Sequence, residues 1–268
     1  MTDLAADLEL AVRAAREAGR AVMETFGGDP AVRFKSPGQP VTEADLRADR
    51  ILRRMLLAER PDYGWLSEET RDSPERLGKA RLWVCDPIDG TNSFVQGIAE
   101  FAVCVARVDA GRPVLGVVHN PATAELFHAA AGGGAFRDGA PVRVSATRPD
   151  ARVRTVLASR RELARGDFES FRDRWRVDPL GSTAWKMAKV ADGTADVFVS
   201  RGPKNEWDVA GAAVILAEAG GRTTTLDGAE LRYNQPDPSW RGVVATNGRL
   251  HDLVVALVRA GAEAAPPR

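Results

Sequence analysis

At 268 residues the chain can bury a substantial core, as one large domain or two tightly joined halves. Lysine plus arginine and aspartate plus glutamate both number 37, so the formal charge is zero and the pI is near 6.9. That balance excludes the overall basic footprint of a nucleic-acid binder. Met1 to Asp7 lacks the basic and apolar regions of a signal peptide, and no apolar run approaches the ~18 residues of a membrane span. The expectation is a soluble cytoplasmic protein with no membrane or nucleic-acid partner.

Leu4, Leu8, Ala11, Ala15, Ala18, Val22 and Phe26 recur at a helical period and predict a helix over 3–26. Gly27 to Pro40 reads as an exposed loop. A second helix is expected over 42–59, with Leu52, Met55 and Leu56 on one face and Pro61 beyond its end. Its start, Thr42-x-x-Asp45, has the form of a capping box. Gly64-Trp65-Leu66-Ser67 reads as a short strand that delivers Glu68 to its end.

From 82 to 145 the pattern changes to short strands, including Trp83–Cys85, 101–108, 114–118, 125–129 and 142–145. Gly132-Gly133-Gly134 is expected to be a hairpin turn, because it fits neither of the glycine-rich phosphate-loop spacings. After 150 strand and helix alternate: strand 153–158, helix 162–175, strand 177–180, helix 183–191, strand 195–199, helix 207–218, strands 222–226 and 242–246, and helix 249–260. This order predicts an α/β protein of layered sheets covered by helices. Periodicity leaves the layer order open. Cys85 and Cys104 lie in apolar runs without metal-ligand spacing and read as core residues. His119, His128 and His251 read as structural.

The most informative segment is Asp86-Pro87-Ile88-Asp89-Gly90-Thr91. An apolar strand ends in two aspartates, and a Gly-Thr pair opens a turn. Carboxylates beside free backbone N–H groups can hold a divalent cation and a phosphate side by side. Three further segments are acidic: Val41-Thr42-Glu43-Ala44-Asp45, Leu66-Ser67-Glu68-Glu69 and Trp207-Asp208-Val209-Ala210. With the Gly220-Gly221 pair that follows, they stand in the order of the V-T-x-x-D, E-E, D-P-I-D-G-T and W-D-x-A patterns. In these blocks the chain resembles the inositol monophosphatase superfamily of Mg²⁺-dependent, lithium-sensitive phosphatases, over about residues 5 to 255.

The resemblance implies a five-layer αβαβα sandwich in a single compact domain. Residues 1–150 would form a metal-binding half with a mostly antiparallel sheet, and 151–268 a half that shapes the substrate pocket. It implies two or three Mg²⁺ ions held by Glu68, Asp86, Asp89, Asp208 and the Ile88 carbonyl, with Glu69 in support. Asp45 and Thr91 would form a pair that activates the attacking water, with Glu68 also counted as catalytic. Such metals, about 3.5–4 Å apart, polarise water and stabilise the leaving oxygen. Phosphate contacts are expected from Asp89, Gly90, Thr91 and Asp208, and substrate contacts from Gly181, Ser182 and Thr183. The family resemblance also favours a homodimer.

The substrate signal is mixed. Inositol monophosphatases usually carry a glutamate about seven residues before the W-D aspartate, and here Arg201 and Lys204 stand in that region instead. Both suit an anionic group. Gly202-Pro203-x-Asn205-x-Trp207-Asp208, Leu66-Ser67-Glu68-Glu69 and Leu231-Arg232-Tyr233-Asn234 look like the bisphosphate nucleotidases. Asp89-Gly90-Thr91-Asn92-Ser93-Phe94 is closer to the inositol monophosphatases. The expected reaction is hydrolysis of a small anionic phosphomonoester, with 3′-phosphoadenosine 5′-phosphate placed first. Inositol 1-phosphate, histidinol phosphate and fructose 1,6-bisphosphate are the alternatives, and a non-enzymatic role as a transcription-complex partner is the reading from another class.

Overall fold

The alanine-rich N-terminal pattern folds as α1 (Asp3–Met23), which buries Leu10, Ala11, Ala14, Ala15, Ala18 and Val22. A computed structural model of the chain describes residues 3–28, 30–36, 38–171 and 175–263. The stretch expected to be a loop contains a hairpin, β1 (Val32–Ser36) and β2 (Gln39–Thr42), paired antiparallel. Thr42 then caps α2 (Glu43–Glu59), with the capping box formed by Thr42 and Asp45. β3 (Gly64–Ser67) matches the expected short strand and lies parallel to β4 (Arg81–Asp89).

A register shift between Asp86 and Asp89 marks a bulge that re-aims this end of β4, beyond which α3 (Thr91–Val95) starts. Antiparallel neighbours follow: β5 (Ala102–Asp109), β6 (Arg112–Asn120), β7 (Glu125–Ala130), β8 (Ala135–Arg137) and β9 (Ala140–Val142). The triple glycine is the β7–β8 turn. The strand expected over 142–145 ends at Val142. Together β3 to β9 form one sheet in sequence order.

The second sheet contains β10 (Arg154–Ala158), followed by α4 (Arg160–Ala164) and β11 (Trp175–Pro179). The helix expected over 162–175 is therefore corrected. A capping box between Ser159 and Glu162 starts α4 early, and Gly166, at φ 78°, breaks it. A 3₁₀ turn covers Glu169–Phe171, residues 172–174 lie outside the described residues, and Trp175 is already in a strand beside Arg154.

The chain continues with α5 (Thr183–Ala191), β12 (Val197–Ser200), β13 (Lys204–Asn205), α6 (Glu206–Glu218), β14 (Arg222–Thr225), β15 (Ser239–Trp240), β16 (Val243–Thr246) and α7 (His251–Glu263). The sheet order is β11-β10-β12-β16-β14, mixed parallel and antiparallel.

Packing fixes the layer order that periodicity left open. α1 and α2 cover one face of the larger sheet, against β4, β5 and β6. α5 and α6 fill the space between the sheets, with α6 against β4 to β7 and β14, and α5 against β5, β6, β12 and β16. α7 lies on β16, on the far face of the smaller sheet. The result is the expected αβαβα sandwich. α6 is buried on nearly every side, which explains its almost continuous apolar sequence after Asp208.

Candidate active site

Three acids from three distant segments meet. Oxygens of Glu68, Asp86 and Asp208 all lie within 4.8 Å of one another. Glu68 follows β3, and its N–H donates to the Cys85 carbonyl at 3.3 Å, extending the β3–β4 pairing by one residue. Asp86 sits near the end of β4 and Asp208 in the first turn of α6, where its carboxylate accepts from the Asn205 N–H at 2.9 Å. Burial raises the pKa of all three, and the charge of Asp89 adds to each, while Lys35 pulls Glu68 and Lys204 pulls Asp208 the other way. Asp208 reaches about 7, through burial first and then the charge of Asp89.

Asp86 accepts the Ile88 N–H with Oδ1 at 3.0 Å, but its Oδ2 is buried with no hydrogen-bond partner. A buried oxygen without a donor, beside two more carboxylates, is costly without a cation. An all-oxygen donor set of this kind suits Mg²⁺. The residues fit a hard divalent cation, the class to which the expected metal belongs.

Asp89 stands apart from the tight trio. Its Oδ2 accepts the Ser182 hydroxyl and the Ala184 N–H, both at 2.6 Å, which ties β4 to the start of α5. Ser182 holds φ 56° without being glycine, a strained conformation fixed by that contact and by its own acceptance of the Trp185 N–H. Gly181 can only be glycine, since a Cβ there would lie 2.3 Å from the Ser93 hydroxyl oxygen. Gly90 adopts φ 104°, and its Cβ would lie 2.9 Å from the Glu100 carbonyl. The bare backbone at the α3 start thus faces the cleft.

Asp45 and Thr91, 46 residues apart in sequence, are joined. The Thr91 hydroxyl lies 3.0 Å from Asp45 Oδ1 and 3.0 Å from the Ile88 carbonyl. Asp45 Oδ2 accepts both the N–H and the hydroxyl of Thr42, at 2.8 and 2.6 Å. Burial raises the Asp45 pKa against the pull of those bonds. The cap and the cleft contact coexist in one carboxylate.

A cleft of about 530 Å³ opens over these groups, and Gly90, Thr91, Gly181, Ser182, Thr183 and Lys204 line it. Arg201 does not. Its guanidinium reaches the Val258 carbonyl of α7 at 3.4 Å, so the expected substrate contact is corrected. The cause is Glu162, whose Oε1 accepts the Ser200 hydroxyl and the Arg201 and Gly202 N–H groups and so fixes the loop. Leu231 to Asn234 also stays off the cleft, with Asn234 and Gln235 held by the buried Glu206.

Four charged residues escaped the sequence reading. Lys35, on the hairpin, contacts Glu68 at 2.5 Å and Glu69 at 2.8 Å. Burial works against its charge, yet the two glutamates hold its pKa above the usual lysine range. Lys186 on α5 is buried on the cleft wall, donates to the Leu180 carbonyl at 3.0 Å and is lowered to about 8 by burial. Arg161 lines the same wall with no ion-pair partner among the described residues. Asp49, on α2, bonds to residues on either side of Glu68–Glu69. Only the α2 period hinted at any of them, by putting Asp49 one turn from Asp45.

A model of the inositol monophosphatase family matches residues 3–263. The chain is 35% identical over 260 residues to a histidinol-phosphatase of Chlorobaculum parvum, covering 95% of this chain and 97% of that one. It is 32% identical to a 3′(2′),5′-bisphosphate nucleotidase CysQ of Aggregatibacter actinomycetemcomitans, over 85% of this chain and 87% of the relative. Among solved structures, an IMPase of Thermotoga maritima superposes with a TM-score of 0.80 at 33% identity, covering 96% of this chain and 98% of that one.

Proposed function

The chain belongs to the inositol monophosphatase family and is a phosphoric monoester hydrolase; from that premise we propose that it is a Mg²⁺-dependent phosphatase acting on a bisphosphorylated nucleotide such as 3′-phosphoadenosine 5′-phosphate. The observation that carries this reading is the cleft wall. Arg161, Lys186 and Lys204 line it, and none has a carboxylate ion-pair partner among the described residues. By contrast Arg160 is spent on Glu100, and Arg165 on Asp167. Unpaired cations opposite the acidic trio favour a second anionic group on the substrate. They would repel the ammonium of histidinol phosphate, so the identity to a histidinol-phosphatase does not decide the substrate.

Glu68, Asp86, Asp89, Asp208 and the Ile88 carbonyl would hold the metal ions, which when bound supply Lewis-acid activation of water and charge neutralisation at the leaving oxygen. The protein's own part begins with orientation. The Thr91 and Asn92 N–H groups precede the first bonds back to the Gly90 carbonyl, made by Ser93 and Phe94, and are placed to hold phosphate oxygens. Thr91 has one hydroxyl proton and two acceptors. When it donates to Asp45, its oxygen lone pairs are left to accept a proton from the attacking water. As that proton reaches Thr91, the original hydroxyl proton passes to Asp45. The raised pKa of Asp45 makes it a better base for this relay than a solvated aspartate.

The test compares kcat/KM on 3′-phosphoadenosine 5′-phosphate, inositol 1-phosphate, histidinol phosphate and fructose 1,6-bisphosphate. The adenosine bisphosphate is expected to lead, and Arg161→Ala with Lys204→Ala to raise its KM by about ten-fold while changing the monophosphates little. Faster turnover of histidinol phosphate, or equal rates on all four, would overturn the substrate assignment.

A further inference from the structure

Asp45 and Asp49 lie one turn apart on α2 and share a face. Asp45 reaches across to Thr91, just past β4. Asp49 does the corresponding thing past β3. Its Oδ1 accepts the Ser67 hydroxyl at 2.5 Å and its Oδ2 the Thr70 hydroxyl at 2.6 Å. Ser67 and Thr70 bracket Glu68 and Glu69. The pair is therefore pinned from two sides, by the Cys85 carbonyl of β4 at the Glu68 N–H and by Asp49 at both flanks.

Asp49 is only 7% exposed and has no cationic partner among the described residues. A buried carboxylate satisfied by hydroxyls alone is an expensive way to stabilise a fold. It is an effective way to set geometry, since each oxygen has one fixed donor on either side of the acidic pair.

We propose that Asp49 is a positioning residue that sets the metal affinity of the site by fixing the Glu68–Glu69 segment against Asp86 and Asp208. The inference rests on the reading of Glu68 as a metal ligand. Glu68 has a long side chain that is a quarter exposed and is paired with Lys35 on the hairpin. Holding its backbone in place reduces the entropy lost when the carboxylate is fixed on an ion. Outer partners of this type change metal affinity by roughly 10–100-fold when removed.

The test measures Mg²⁺ and Mn²⁺ binding calorimetrically on the full chain without substrate, alongside circular dichroism and thermal melting. Asp49→Ala is expected to raise the metal Kd by about ten-fold or more. At saturating metal, its KM for the phosphate ester should stay within about two-fold of wild type. Asp49→Asn, which can accept from one hydroxyl and donate to the other, should fall between. Ser67→Ala combined with Thr70→Ala should weaken metal binding by the same factor, and adding Asp49→Ala to it should weaken binding no further.

A folded Asp49→Ala protein with a metal Kd within about two-fold of wild type would overturn the proposal. So would additive losses in the combined variant. Should Asp49→Ala fail to fold, the hydroxyl double variant decides alone, and wild-type affinity there counts against. A wild-type protein that binds neither ion would sink the metal reading itself, a separate result.

Discussion

Each acid of the cleft combines a structural place with the chemical role proposed for it, and the substitutions that separate the two are specific. Asp86→Asn and Asp208→Asn preserve size and remove charge. Both should keep the fold, because burial and repulsion already penalise the ionised forms. Both should lower metal-dependent kcat by on the order of 10³-fold or more, read by steady-state kinetics at saturating Mg²⁺. Near wild-type turnover in either would end the metal model. Lys186 gives a pH signature. Its ammonium is charged below about 8 and neutral above it. Binding of an anionic substrate should therefore weaken as pH rises through that value, seen as KM rising between about pH 7.5 and 9. Lys186→Gln should flatten that limb of the profile.

Among the elements, α6 carries most of the positioning. Its first turn holds Asp208, its middle is wedged between the sheets, and its last residue is captured by a turn. The N–H groups of Gly132 and Gly134 each donate to Glu218, both at 2.9 Å. The triple glycine thus cradles an anion after all, but it is a carboxylate of the same chain. A negative charge at a helix C-terminus opposes the helix dipole, and these two bonds offset it. The wedge itself depends on two glycines. A Cβ on Gly116 of β6 would lie 2.0 Å from the Gly211 carbonyl, so nothing larger fits without displacing the helix. Gly116→Ala should cost about 1–3 kcal/mol by overpacking. It should also weaken metal binding by moving Asp208, measured by calorimetry beside the melting temperature. A loss of stability with unchanged metal affinity would show that α6 tolerates the shift.

Across the whole molecule, the acids straddle the join between the two sheets. Glu68, Asp86 and Asp89 come from the larger sheet, and Asp208 from the helix packed between the two. Chelation should therefore loosen the structure, to a degree set by pH. Asp208 and Glu69 are raised to about 7, Glu69 chiefly by burial, so the folded metal-free protein holds more protons than the unfolded chain between roughly pH 4 and 7. The stability they contribute is present at low pH and lost as pH rises through about 7. His119, His128 and His251, whose pKa values burial lowers, act with the opposite sign. In EDTA it is therefore the melting temperature of wild type relative to Asp208→Asn that should fall from pH 5 to pH 8. Mg²⁺ should restore it most at the alkaline end, where the acids are ionised. A chelated wild type that gains on Asp208→Asn between pH 5 and pH 8 would contradict this sign.

The sequence by itself determined what is local. Asp86 to Thr91 lies on one strand end and the turn after it, so its six residues carry the proposed metal and phosphate reading without help from the fold. The Thr42–Asp45 cap, the Gly64–Ser67 strand and the apolar helix after Asp208 were legible for the same reason, being set by contacts within a few residues. Only tertiary structure could bring Arg161 and Lys186 to the cleft wall, and Lys35 and Asp49 to the Glu68–Glu69 segment behind it. Only tertiary structure could turn Arg201 away, because the carboxylate that fixes its loop is Glu162, 39 residues earlier. The physical reason is range. Hydrogen bonds and caps are specified by neighbours, whereas the net charge of a cleft wall depends on which distant side chains are already paired.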